Sequence, residues 1–238
     1  ITSVLPLGVI DYEMATYFSV VRADNSVTYT GKFDGLTVGA YYTFRPIEEQ
    51  TTYDENTTGR FGFAASYDIG KQYRVIATYD RVESAGGYPN TTITGKIDNI
   101  AVGGKANFGE FAVSAVYRYR KTTVANNPNV KSHLFTVGGT YKVTPALTMG
   151  VAYTIDKLSG TNDVTLTRVG LKRTDDRWQQ FAFLASYALS KRTNLYAELA
   201  HARKGAVALG LGADGGSYDL APNKSNQTAA AIGIRHYF

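Results

Sequence analysis

From Ser26 onward the chain alternates apolar and polar residues with period two, in segments of about ten residues broken by turn signals, and this pattern leaves room for little besides a large antiparallel sheet. Ser26 to Lys32 and Leu36 to Phe44 flank Phe33-Asp34-Gly35 and read as a hairpin. Arg60–Ile69 and Tyr73–Val82 repeat the unit around Gly70-Lys71-Gln72, and Lys96–Phe108 and Phe111–Lys121 repeat it around Gly109-Glu110. Lys131–Val143 and Leu147–Asp156 flank Thr144-Pro145-Ala146; Trp178–Leu189 and Asn194–Arg203 flank Ser190 to Thr193; Asn226–Phe238 is a last strand with no partner after it. Eleven strands are predicted, each about as long as a tilted strand needs to cross a bilayer.

The connections separate this chain from a soluble sandwich. Short turns alternate strictly with long polar loops at Pro46–Thr58, Glu83–Gly95, Thr122–Val130, Lys157–Arg177 and Lys204–Ser225. Outer-membrane barrels put short turns on the periplasmic side and long loops outside. Hydrophobic residues make up 44% of the chain, yet no stretch approaches the roughly 18 apolar residues a membrane-spanning helix requires, which excludes a helical membrane protein. Charged residues are 19%, below the roughly 25% of soluble domains, while Gly (24) and Tyr (18) are plentiful.

Phe135, Val137, Gly139, Tyr141 and Val143 share one face of their strand, as do Leu147, Met149, Val151, Tyr153 and Ile155 in the next. Tyr141 and Tyr153, and Tyr117 and Tyr119, are placed near strand ends, where an interfacial girdle would hold them. The other face carries Ser132, Thr136, Thr140, Lys142, Thr148, Thr154 and Asp156, too polar for a dry core. Period two alone does not say which face is inside, so a soluble β-barrel or sandwich binding protein stands as the alternative, together with a substrate-specific outer-membrane channel. A second face so small and polar, however, leaves too little bulk to fill two sheets.

The net charge of +5 and pI near 9.2 admit anionic solutes or anionic lipid as partners, and the dispersal of that charge argues against nucleic acid. With no cysteine there is no disulfide framework and no Cys-based metal site. His133, His201 and His236 fall on separate strands without metal-like spacing, and no cofactor or enzymatic activity is expected. Gly210-Leu211-Gly212-Ala213-Asp214-Gly215 matches a dinucleotide pattern but lies in a long loop with no following helix. Asn56-Thr57-Thr58 and Asn90-Thr91-Thr92 match glycosylation sequons, which by themselves imply no modification. Ile1 opens a mildly apolar segment with no positive n-region, so the chain is expected to be mature or already cut.

Four segments carry a resemblance to a known family: Arg22-Ala23-Asp24-Asn25-Ser26-Val27-Thr28-Tyr29, Phe33-Asp34-Gly35-Leu36-Thr37-Val38-Gly39-Ala40, Tyr187-Ala188-Leu189-Ser190-Lys191-Arg192-Thr193-Asn194-Leu195-Tyr196, and Gly233-Ile234-Arg235-His236-Tyr237-Phe238. On these residues the chain resembles the trimeric general porins of β-proteobacterial outer membranes. The resemblance implies an all-β fold, a transmembrane antiparallel β-barrel of sixteen strands of which these eleven are the sixth to the sixteenth. It makes residues 1–21 the end of the long loop that folds into the pore and narrows it, and residues 22–238 barrel strands with their turns and loops. Ile232, Ile234, His236 and the terminal Phe238 look like the signal read by the membrane-insertion machinery. An odd strand count that starts outside and ends in the periplasm would leave open edges in lipid, so a fragment lacking its first strands is expected.

The resemblance also names a site. Arg22 shares a face with Asp24, Ser26 and Thr28 and resembles the arginine that porins project into the constriction. In Val4-Leu5-Pro6-Leu7-Gly8, Leu7 stands where many cation-preferring relatives carry an acid, while Asp11 and Glu13 could restore some negative potential. Arg60, Arg74, Arg118, Arg120, Lys142 and Arg235 are assigned to the pore wall, with Asp68, Asp80, Asp98, Glu110 and Glu198 as the acids of the same face; some of these charges serve as ordinary ion pairs. The resulting expectation is passive diffusion of small hydrophilic solutes and ions with a preference for anions. The partners are small anions and hydrophilic solutes, outer-membrane lipid and lipopolysaccharide, and two further copies in a homotrimer.

Overall fold

The computed structural model describes residues 26–44, 57–85, 94–124, 129–160, 177–204 and 226–238. Every regular element among them is a strand: β1 (Ser26–Phe33), β2 (Leu36–Thr43), β3 (Thr57–Ile69), β4 (Tyr73–Ala85), β5 (Thr94–Phe108), β6 (Phe111–Val124), β7 (Val130–Lys142), β8 (Leu147–Ser159), β9 (Arg177–Ser190), β10 (Thr193–Arg203) and β11 (Asn226–His236). They form one 11-stranded sheet in sequential order, each neighbour antiparallel to the last.

The turns follow from local chemistry. Asp34 and Gly35 both take positive φ, 35° and 88°, which suits a two-residue hairpin whose twist matches its flanking strands and lets Phe33 sit opposite Leu36. Gly109 at φ 62° does the same between Phe108 and Phe111. In the turn with Pro145, Thr144 Oγ1 accepts hydrogen bonds from the backbone N–H groups of Ala146 and Leu147, at 3.2 and 2.9 Å.

Strand ends at these short turns fall within a residue or two of the sequence expectation, but most ends at the long loops run further. β4 continues to Ala85 rather than stopping at Val82, and β3 begins at Thr57 rather than Arg60. The reason is physical: beyond the apolar band both faces are polar, so hydrophobic alternation vanishes while backbone ladder bonds continue. For the same reason Tyr117 and Tyr153 stand near the middle of β6 and β8 rather than near their ends.

The two faces differ sharply in exposure. Phe63 (56%), Phe135 (44%) and Phe181 (50%) are exposed on the apolar face, whereas Thr78, Asp80, Thr136 and Gln180 are buried on the polar one. Cross-strand polar pairs knit the latter, as between Thr136 Oγ1 and Thr154 Oγ1 at 3.0 Å. The polar face is less uniformly polar than its sequence suggested. Ile76, Val116 and Leu158 are buried on it, and Ala182, Ala200 and Ala202 cluster there with Trp178, Leu184 and Tyr196. An exposed large-apolar face over eleven strands needs hydrocarbon or another apolar surface to cover it, which argues against the soluble alternative.

Candidate functional site: the charged wall

Residues two apart on a strand share a face, and register partners share it across strands, so the ladder assigns every charge to one side. Arg118 and Arg120 lie side by side on the polar face of β6. Arg120 is flanked by Asn99 and Ser132, and Arg118 by Ala101 and Leu134; one strand further out stand Asp80 beside Asn99 and Asp156 beside Leu134. The two arginines therefore sit between two acids whose charges act on both of them. Ser132 Oγ donates to Asp156 Oδ1 at 2.7 Å and holds that carboxylate in place. The Nε atoms of Arg118 and Arg120 are buried without a hydrogen-bond partner, so neither guanidinium is fully saturated by the wall.

The other assigned arginines also lie on this face. Arg60 is opposite Thr43, whose hydroxyl donates to the Arg60 carbonyl at 3.3 Å. Arg74 makes a two-point contact with Asp68, Nε to Oδ1 at 2.5 Å and Nη2 to Oδ2 at 2.9 Å, so much of its charge is neutralised near the turn. Arg235 stands 6.0 Å over the Tyr196 ring. Lys142 closes β7 on the same side.

Two of the acids were misplaced. Asp98 lies on the apolar face, where Arg81 Nε at 2.7 Å and Tyr79 Oη at 3.0 Å donate to its Oδ1. It shares parity with Ile100 and Val102, a signal present in the sequence but outweighed there by its charge. Glu110 belongs to the turn between β5 and β6 and is exposed; its carbonyl accepts from the Lys142 N–H at 2.9 Å. Two bases were missed: Lys32, in step with Thr28 and Thr30, and Lys105, in step with Ala101 and Gly103. Among the described residues the polar face thus carries Lys32, Arg60, Arg74, Lys105, Arg118, Arg120, Lys142 and Arg235 against Asp68, Asp80, Asp156 and Glu198. Arg22, Leu7, Asp11 and Glu13 lie outside the described residues. Phe238 follows β11 exposed, its ring edge-on to His236 at 4.8 Å.

A model of the Gram-negative porin family matches residues 7–206. The chain belongs to the Gram-negative porin family. Such a porin lies in the bacterial outer membrane, with its apolar face toward lipid and its charged face toward the lumen. Solved structures share the fold. An anion-selective porin from Comamonas acidovorans superposes with a TM-score of 0.70 at 24% identity, over 91% of this chain and 60% of that one. The trimer form of OmpT, an outer membrane protein of Vibrio cholerae, gives 0.69 at 18%, over 91% and 65%. The outer membrane channel DcaP of Acinetobacter baumannii gives 0.59 at 14%, over 89% and 62%. The chain therefore spans about three-fifths of the length of the solved porins it matches. Comparison with curated proteins returned no significant match.

Proposed function

We propose that the protein is a passive diffusion channel for small hydrophilic solutes and ions that favours anions, working as a homotrimer. The observation that carries the selectivity is the wall itself: twice as many bases as acids face the lumen among the described residues, and the Arg118–Arg120 pair is bracketed rather than neutralised by Asp80 and Asp156. A wall of net positive sign raises the local concentration of anions and excludes cations, without a binding step or a reaction.

The shared fold with a porin whose own name states anion selectivity supports the same reading, and the trimer form of a neighbour supports the assembly. Arg22 completes the proposed constriction, with Asp11 and Glu13 moderating its field and Leu7 leaving the loop uncharged at that point. Phe238 is proposed as the insertion signal. The test is single-channel recording in planar bilayers under a salt gradient, comparing wild type with Arg22→Glu. The expected result is a steady open channel whose reversal potential favours chloride and moves toward cations in the variant. Absence of conductance from folded protein overturns the channel; cation preference in wild type overturns the selectivity.

A further inference from the structure

Four half-buried side chains stand in one register row across neighbouring strands of the polar face: Arg118 on β6, Leu134 on β7, Asp156 on β8 and Trp178 on β9. The row spans three strand spacings, about 14 Å, and reads cation, apolar, anion, aromatic. Arg118 and Asp156 act on each other electrostatically but form no ion pair with each other. Leu134 stands between them and offers no polar group to bridge the gap. Ser132 Oγ donates to Asp156 Oδ1 at 2.7 Å, which ties the carboxylate to β7, and Arg118 Nε is buried without a hydrogen-bond partner.

The mirror arrangement on the other side of the arginines lacks this access. Asp80 lies two strands from Arg120 with Asn99 between them, and Asp80 and Asn99 are buried, at 0% and 3% exposure. On the short-turn side of the row Val116, Thr136, Thr154 and Gln180 are buried as well. The opposite charges that a solute in the lumen reaches at this level are therefore Arg118 and Asp156.

The net sign of the wall acts on simple ions, whereas a zwitterion carries no net charge and responds only to the pattern. Strands two apart lie about 9.6 Å from each other, and two charge-assisted contacts of about 2.8 Å leave about 4 Å between the charged groups of a bridging solute. That separation fits an α-amino acid and is short for a peptide. We infer that this row forms a retention site for zwitterionic α-amino acids with an apolar or aromatic side chain, the carboxylate on Arg118, the ammonium group on Asp156 and the side chain against Leu134 and Trp178. The inference rests on the reading of this face as a channel lumen. It deepens that reading by naming a solute class that net charge does not select.

The experiment records single channels of the full-length protein in planar bilayers, in potassium chloride at neutral pH, and counts interruptions of the current by added L-phenylalanine. Phenylalanine should act at about fivefold lower concentration than 3-phenylpropionate, which lacks the ammonium group, or 2-phenylethylamine, which lacks the carboxylate; fivefold is what one water-exposed ion pair supplies at the upper end of its range. This comparison needs no variant. Asp156→Asn, which keeps an acceptor for Ser132, should erase the advantage over 3-phenylpropionate and keep that over 2-phenylethylamine, and Arg118→Gln should do the converse. Trp178→Leu should weaken phenylalanine and leave glycine as in wild type.

An open channel that phenylalanine does not interrupt overturns the site. So does equal action of phenylalanine and 3-phenylpropionate, which would mean that the wall reads net charge alone, and so does an unchanged response in Asp156→Asn. Loss of salt conductance in wild type strikes the channel reading instead. Saturation-transfer NMR of phenylalanine with folded protein in detergent then decides the site separately: a signal lost in Asp156→Asn upholds it, and an equal signal in both proteins overturns it.

Discussion

Replacing Arg118 and Arg120 together by glutamine tests the charged wall where it is densest. The two positions are two apart on β6, about 6.7 Å along the strand, so an ion held against the wall between them lies about 7 Å from each charge. At that distance one unit charge contributes roughly 0.6 kcal/mol in water. In 0.1 M salt, with a Debye length of about 10 Å, about half of that survives, so the pair supplies ~0.6 kcal/mol of attraction to an anion and equal repulsion to a cation. The difference, ~1.2 kcal/mol, is about sevenfold in anion-to-cation preference. Asp80 and Asp156 remain on the wall, and their negative charge pushes in the same direction. In 1 M salt the Debye length shrinks to about 3 Å and the same arithmetic leaves a factor of about 1.5. Reversal potentials under matched salt gradients measure both numbers. An unchanged permeability ratio at low salt, or a change that persists undiminished at high salt, would refute the electrostatic account of the wall.

Three further outcomes follow from local structure. Gly35→Val should destabilise by about 1 to 3 kcal/mol, because φ 88° is strained for a side-chain-bearing residue and the new Cβ would stand 3.1 Å from the Asp68 carbonyl; urea unfolding in lipid vesicles reads it. Asp98→Leu and Arg81→Leu should each cost about 1 kcal/mol or more by stranding the partner on the lipid-facing side, while the double variant should cost less than the two singles together, as a double-mutant cycle would record. Phe238→Ser should lower the amount of folded protein reaching the outer membrane of cells while leaving refolding in detergent intact, a split seen by comparing heat-dependent gel mobility of the two preparations.

Much of the architecture was readable before any coordinate. Gly70, Gly109 and the Asp34-Gly35 pair mark the hairpins because only such residues accept the backbone the turns demand, and a tight turn sets the register of the two strands it joins, as Phe108 opposite Phe111 shows. Parity along a strand likewise assigns Arg118 and Arg120 to the polar face without reference to any neighbour.

What the linear pattern does not hold is register across the long loops, because a loop of a dozen residues imposes no alignment on the strands it connects. Only the ladder of backbone hydrogen bonds sets Arg81 opposite Asp98, Lys157 opposite Arg177 and Lys121 opposite Lys131. The same ladder, carried over two strands on either side, puts Arg118 and Arg120 between Asp80 and Asp156. Sequence determined which side of the sheet each charge faces, since that is a property of one strand and its period. The tertiary structure decided which charges meet, since that is a property of pairs of strands brought together by a fold.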